Sequence, residues 1–380
     1  MNKTVYLDNS ATTKPCKETV EAINNCLTLN WGNPSSSYIF GIDALDIIEN
    51  SRSIVANSIG AKPDEIYFTG SGTEANNLAL FGAAYARKKL GKKIVSTAIE
   101  HPSVLKALEE LAGQGFEVVL LSPDKNGVIS EEALTEAIDG NTILVSIMLC
   151  NNEIGSVEPV EAASRIIKEK NAPALLHCDA VQAFGKLPIK VSSLGVDLMS
   201  ASGHKIHASK GIGFLYKSRG VNIRPLVYGG GQEKGLRSGT ESVPLIAGLA
   251  AAIKALPDTQ KQLELQKELR DKAKEMLLST GKVLINSPDD ALPYILNISV
   301  DGYKAEPMLN ALAAKNIFVS KGSACAKGQR SYVLSSIGLS NDRIDSSLRI
   351  SFSRESTIED VITLCDAIKE ITNKMRRFKK

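Results

Sequence analysis

Short apolar runs alternate with amphipathic helical stretches over the first two-thirds of the chain, and no other feature limits the fold as much. The runs 65–69, 93–97, 117–121, 143–147, 174–178 and 212–216 are rich in Ile, Val, Leu and Phe and read as buried strands. Helical patterns lie between several of them, as over 74–90 and 160–170. Strands separated by helices cannot close as tight hairpins, so they line up as a mostly parallel sheet with helices on both faces. Sites in such sheets form outside the carboxyl ends of the strands.

The pattern changes near Pro257. Residues 258–278 are charged, helical and free of glycine, and read as one long connecting helix. Shorter elements follow over 294–300, 305–315, 317–320 and 349–352. A chain of 380 residues has material for two cores, since single cores stop growing near roughly 250–300 residues. The expected division is a large domain over 15–257, and a smaller α+β domain built from 1–14 and 258–380.

Composition excludes more than it assigns. A net charge of +3 with no concentrated basic face gives no reason to expect direct nucleic-acid binding. The basic run Lys374–Lys380 reads as a helix end, where cations suit the dipole. The first residues carry no apolar core of a secretory signal, and the apolar stretch 245–256 is broken by Gly248 and Lys254, too short to span a bilayer. No membrane partner is expected. Cys16, Cys26, Cys150, Cys178, Cys325 and Cys365 are scattered without CxxC spacing, which suits a reducing cytoplasm and neither a zinc ribbon nor a disulfide framework. The four histidines form no helical pair with a carboxylate, so no metal is expected.

Chemistry concentrates in a few motifs. In Asp197–Gly213, Ser202, His204 and Lys205 stand together between an apolar run and a glycine-rich one. A lone loop lysine is ordinarily surface decoration, but a desolvated lysine beside other cations can be neutral and attack a carbonyl. Gly70–Asn77 follows a strand and opens a helix, where Gly72 and Thr73 suit an anion; a helix cap on Thr73 explains the same residues equally well. Asp179 ends a strand, where it can pair with a protonated ring nitrogen or cap a helix, and Gln182 lies a short turn beyond. His101 ends another strand and presents a flat ring for stacking. An anion cradle, an acid, a stacking ring and an imine-forming lysine jointly match pyridoxal 5'-phosphate. Two further residues select a reaction. Cys325 sits in a small-residue loop beside Lys321, Lys327 and Arg330, which favour thiolate. Arg349 can grip a carboxylate bidentately or form a structural ion pair.

Read end to end, the chain resembles the cysteine desulfurases of the NifS/IscS-like group, fold-type I pyridoxal-phosphate enzymes of the class V aminotransferase family. The resemblance rests on Tyr6–Thr13, Gly32–Ser36, Gly70–Asn77, Asn151–Gly155, Gly229–Thr240, the Gly322–Cys325 loop and Arg349–Phe352. It implies a mostly parallel seven-stranded sheet between helices, and it implies roles. Lys205 carries the cofactor, Asp179 pairs with the pyridinium, His101 stacks on the ring and acts on protons, and Gln182 touches the ring hydroxyl. Gly72, Thr73, Ser202 and His204 hold the phosphate, and Asn152 contacts ring or substrate. Thr240 reaches the phosphate of the other subunit of a homodimer. Arg349 binds the carboxylate of L-cysteine, and Cys325 takes its sulfur as a persulfide, releasing alanine. A sulfur acceptor in iron–sulfur cluster assembly or tRNA thiolation is implied as partner. Two departures bear on this: Ala208–Ser209 stands where many relatives carry Gly-Pro, and the loop after Cys325 reaches Ser331 about two residues early, which bears on which acceptor it serves. The Arg-x-Gly-His-His-Cys-Ala motif of the other desulfurase group is missing. The competing activity is a selenocysteine lyase or another pyridoxal-phosphate C–S lyase.

Overall fold

The apolar runs do lie side by side. The structure, a computed structural model, describes residues 3–322, 330–374 and 377. Its strands are β1 (Val5–Tyr6), β2 (Ile66–Thr69), β3 (Lys93–Thr97), β4 (Glu117–Leu121), β5 (Thr142–Met148), β6 (Leu175–Asp179), β7 (Leu198–Ser202), β8 (Gly213–Lys217), β9 (Val283–Ile285), β10 (Ile295–Val300), β11 (Ile317–Phe318) and β12 (Ser347–Ser351). Seven of them form one sheet in the order β2-β8-β7-β6-β5-β3-β4. Pairings from β7 through β4 are parallel, while β8 runs antiparallel to both β7 and β2. The reversal follows from the link between β7 and β8, a single tight 3-10 turn and loop rather than a crossover helix.

One of these strands departs from the sequence reading. β4 is an edge strand paired only with β3, and it is half-buried, with Glu117 and Leu120 exposed, whereas the opposite edge strand β2 is buried throughout. The central strand β5 is likewise buried at every position.

Helices cover both faces. Gly72–Arg87 and Pro102–Gly113 pack through Leu78, Leu80, Val104 and Leu108 on one side; Ile39–Ser58, Val160–Glu169 and Val243–Lys254 pack on the other. The helix Val160–Glu169 shows why: Val160, Ala163, Ile166 and Ile167 fall on one stripe and are buried. A second core surrounds the antiparallel sheet β12-β10-β9, under the helices Thr259–Leu278 and Ile358–Lys374. Val5 and Leu7 belong to that second core, since β1 pairs in parallel with β11. After β1 the chain leaves the second core and runs to the strand ends of the large sheet, where Thr13 bonds the His204 carbonyl. Among the described residues no helix is long and apolar enough to cross a membrane.

Candidate active site

The parallel strands β3, β5, β6 and β7 present their carboxyl ends to one side of the sheet, and the polar motifs stand just beyond those ends. Lys205 lies in the 3-10 turn Gly203–Lys205 that follows β7. Its Nζ donates to the carbonyls of Ser10 (2.6 Å) and Ala11 (2.8 Å), so the N-terminal segment forms the seat of the amine. Burial brings its pKa down from 10.5 to about 7, with the cations of Lys186 and Arg349 pushing the same way. A neutral amine carries two N–H groups, which matches two carbonyl acceptors. His204 next to it donates to or accepts from Thr12 Oγ1 at 3.2 Å, and burial and nearby lysines bring its pKa to about 4.

The helix Gly72–Arg87 starts directly after β2. Its cap is Ser71, whose Oγ accepts from Glu74 N, and not Thr73; the Glu74 carboxylate in turn accepts from Gly70 N at 2.7 Å. Thr73 is therefore left exposed on the cavity wall, and the first-turn amides of Gly72 and Thr73 have no carbonyl one turn back to bond. Gly72 is needed for close approach: a Cβ there would lie 2.8 Å from Val181 Cγ2 and 3.2 Å from Ser202 Cβ. Ser202 at the end of β7 thus meets the helix N-terminus, as an anion site requires.

Asp179, the last residue of β6, is buried and fixed at both oxygens. Oδ1 accepts from Val181 N at 2.9 Å, and Oδ2 accepts from Asn76 Nδ2 at 2.7 Å. Asn76 also donates to Ser103 Oγ at 2.9 Å. His101 caps the helix Pro102–Gly113, its Nδ1 accepting from Ser103 N at 3.1 Å and lying 2.8 Å from Ser103 Oγ. Burial lowers the His101 pKa; Asp179 opposes that and Lys205 adds to it. Gln182 is engaged at both ends of its amide, Nε2 donating to Ser10 O and Oε1 accepting from Lys186.

Arg349 projects from β12 of the second sheet and closes the opposite wall. Its Nη2 donates to Asp8 Oδ1 at 2.7 Å, and Nη1 donates to the carbonyls of Asn152 (3.0 Å) and Gly322 (3.2 Å). The residue is 2% exposed, and among the described residues its Nε has no hydrogen-bond partner. The structural ion pair expected as an alternative therefore exists, alongside a spare donor.

One cavity of about 1050 Å³ is lined by Gly72, Thr73, His101, Asn152, Asp179, Gln182, Ser202, His204, Lys205 and Arg349. Thr240 is exposed and is not on this wall. Cys325 lies outside the described residues; Gly322, just ahead of it, is on the wall. Sequence reasoning missed Asn76, Ser103, Asp8 and the Ser10 and Ala11 carbonyls. Asn76 stood inside Gly70–Asn77, and Asp8, Ser10 and Ala11 inside Tyr6–Thr13, both already singled out, but a sequence carries no signal of which carbonyls and side chains turn to the site. Pyridoxal phosphate fits this wall. Ser10 Oγ, Asn76 Oδ1, Asn152 Oδ1 and Arg349 Nε are buried polar atoms without partners among the described residues, which a polar guest can satisfy. Gly72, without a Cβ, lets the helix N-terminus sit against Val181 and Ser202 on the cavity wall, where its free amides suit a phosphate.

Comparison with known proteins agrees. The class-V aminotransferase family model matches residues 5–364. The chain is 43% identical to the cysteine desulfurase IscS of Methanosarcina thermophila, over 99% of this chain and 94% of that protein. A solved NifS-like protein superposes with a TM-score of 0.93 at 37% identity, covering 98% of this chain and all of that one. A structure of SspA in complex with cysteine gives a TM-score of 0.82 at 35% identity, over 92% of this chain and 99% of its own.

Proposed function

We propose that this chain, which belongs to the class-V aminotransferase family, is a pyridoxal-phosphate-dependent cysteine desulfurase. It converts L-cysteine to L-alanine and takes the sulfur as a persulfide on Cys325. The observation that carries this reading is the pairing, across one cavity, of the low-pKa Lys205 amine with the buried Arg349 guanidinium, whose Nε is spare. Arg349 orients the substrate by its carboxylate, bringing the α-carbon towards Lys205.

When bound, pyridoxal phosphate supplies an electron sink for the bonds broken at the substrate carbons. The Asp179 carboxylate, fixed at both oxygens, holds a proton on the pyridine nitrogen. The Gly72 amide, Thr73, Ser202 and His204 hold the phosphate, and Gln182 has one N–H left for the ring hydroxyl. Asn152 offers its spare Oδ1 to ring or substrate. Lys205 as a neutral amine takes the α-proton, and His101 moves a proton at the substrate sulfur or Cβ. The Cβ–S bond breaks as the Cys325 thiolate bonds the sulfur, so cysteine plus thiol gives alanine plus persulfide with atoms and electrons balanced.

A single turnover without reductant tests this. Equal amounts of alanine and protein-bound persulfide are expected, with the extra sulfur on Cys325 by mass spectrometry. Pyruvate and ammonia with free sulfide, and no persulfide, would instead establish an eliminating C–S lyase, and no product of either kind would end the reading. The sulfur then passes to an acceptor protein of iron–sulfur assembly or tRNA thiolation, which transfer of labelled sulfur from the persulfide to such a protein checks.

We also propose a homodimer in which Thr240 serves the partner's phosphate. Thr240 is exposed outside its own cavity, and Tyr38, Ile39, Phe40, Ile42 and Leu45 leave one helix end apolar and exposed, with Trp31 stacked on Phe40 at 5.4 Å. Sedimentation is expected to give a dimer that Phe40→Asp weakens. A wild-type monomer at micromolar concentration would exclude it.

A further inference from the structure

The hydrogen-bond directions beside His101 can be assigned one after another, starting from an atom that cannot donate. Asp179 Oδ2 is an acceptor, so the Asn76 atom 2.7 Å from it is the amide nitrogen. The second N–H of that nitrogen goes to Ser103 Oγ at 2.9 Å. Ser103 Oγ accepts there, and its own proton is free to point at His101 Nδ1, 2.8 Å away. The backbone N–H of Ser103, 3.1 Å from the same Nδ1, can only donate. Two donors therefore converge on one ring nitrogen.

We propose that Ser103 is a positioning residue that holds His101 as the neutral imidazole protonated at Nε2, with its hydroxyl oriented by Asn76 from Asp179. Protonating Nδ1 would set an N–H against the Ser103 N–H and force the hydroxyl to turn round. The proton that His101 exchanges must then sit on Nε2, the only ring nitrogen left to face the cavity. Which substrate atom receives it rests on the desulfurase reading; the tautomer does not. Asp179, Lys205 and His204 act on the ring from the strand ends, while Lys106 and Glu109 of its own helix, Glu153, Arg349, and Tyr332, whose hydroxyl donates to the Glu100 carbonyl, line the same cavity. Lys205 discourages a second ring proton and Asp179 encourages it, so neither of them selects a nitrogen. Ser103 does.

Long-range nitrogen–proton NMR of the cofactor-loaded protein, labelled at histidine and assigned by His101→Gln, reads the tautomer directly. The wild type is expected to show His101 protonated at Nε2 alone at pH 7. Ser103→Ala, which removes one of two donors, is expected to raise the His101 pKa by about half to one pH unit, and Ser103→Thr to restore it. A wild-type proton on Nδ1, or a Ser103→Ala titration that does not move, would overturn the proposal. Alanine formation from cysteine by the same samples tests the other reading apart: the expected titration without any alanine supports the lock on His101 and removes the desulfurase.

Discussion

Lys205→Ala is expected to lower alanine formation from L-cysteine by about a thousandfold or more, within the range by which a positioned acid or base accelerates a reaction. The loss should persist at saturating pyridoxal phosphate, because it comes from the missing amine and not from poorer loading. Gel filtration should strip the cofactor from the variant and not from the wild type. The structure explains why an amine works at this position. Burial, then Lys186 and Arg349, bring the pKa from 10.5 to about 7, so the neutral base is present at ordinary pH. Above pH 7 the amine is free, and activity falls as pH drops through 7. Lys186→Met removes a like charge, so the Lys205 pKa should rise and the acid limb of the rate profile move to higher pH. If Lys205→Ala retained a tenth of wild-type turnover, Lys205 would not be the base.

Lys205 also shows what a sequence can disclose. Its place after an apolar run and before a glycine-rich one put it at a strand end, and the 3-10 turn after β7 is where it stands. The large sheet was legible because apolar runs and helical periods are written locally along the chain. What holds the amine was not legible. Ser10 and Ala11 reach Lys205 through backbone carbonyls, brought across the chain by a two-residue strand that pairs with Ile317–Phe318. So short a strand has no periodicity to read. At the helix that opens at Gly72, Thr73 suits a cap and an anion contact equally well in sequence, and only the geometry gives the cap to Ser71 and leaves Thr73 to the cavity. β4 looked buried because its apolar content equals that of its neighbours. Its edge position depends on strand order, which a sequence without helix-crossing directions does not specify.

Arg349 carries the second large effect, and here the ion pair and the site must be told apart. Asp8 occupies Nη2, and the Asn152 and Gly322 carbonyls occupy Nη1, so the guanidinium is rigid before any substrate arrives. Its buried Nε is left to pair with a carboxylate, together with whatever remains of Nη2. Lysine keeps the charge but offers no planar fork. Arg349→Lys is therefore expected to lower kcat/KM for L-cysteine by about a hundredfold, the cost of losing a partner for a desolvated charge. Most of it should appear in KM, because the carboxylate is held throughout the reaction. Cysteamine separates this from general damage, since it has the amine and the thiol but no carboxylate. Spectral titration of the cofactor with cysteamine should give nearly the same affinity for wild type and Arg349→Lys, whereas cysteine binding should weaken strongly. Equal losses for both ligands would make Arg349 a purely structural partner of Asp8, and the substrate carboxylate would then need another anchor.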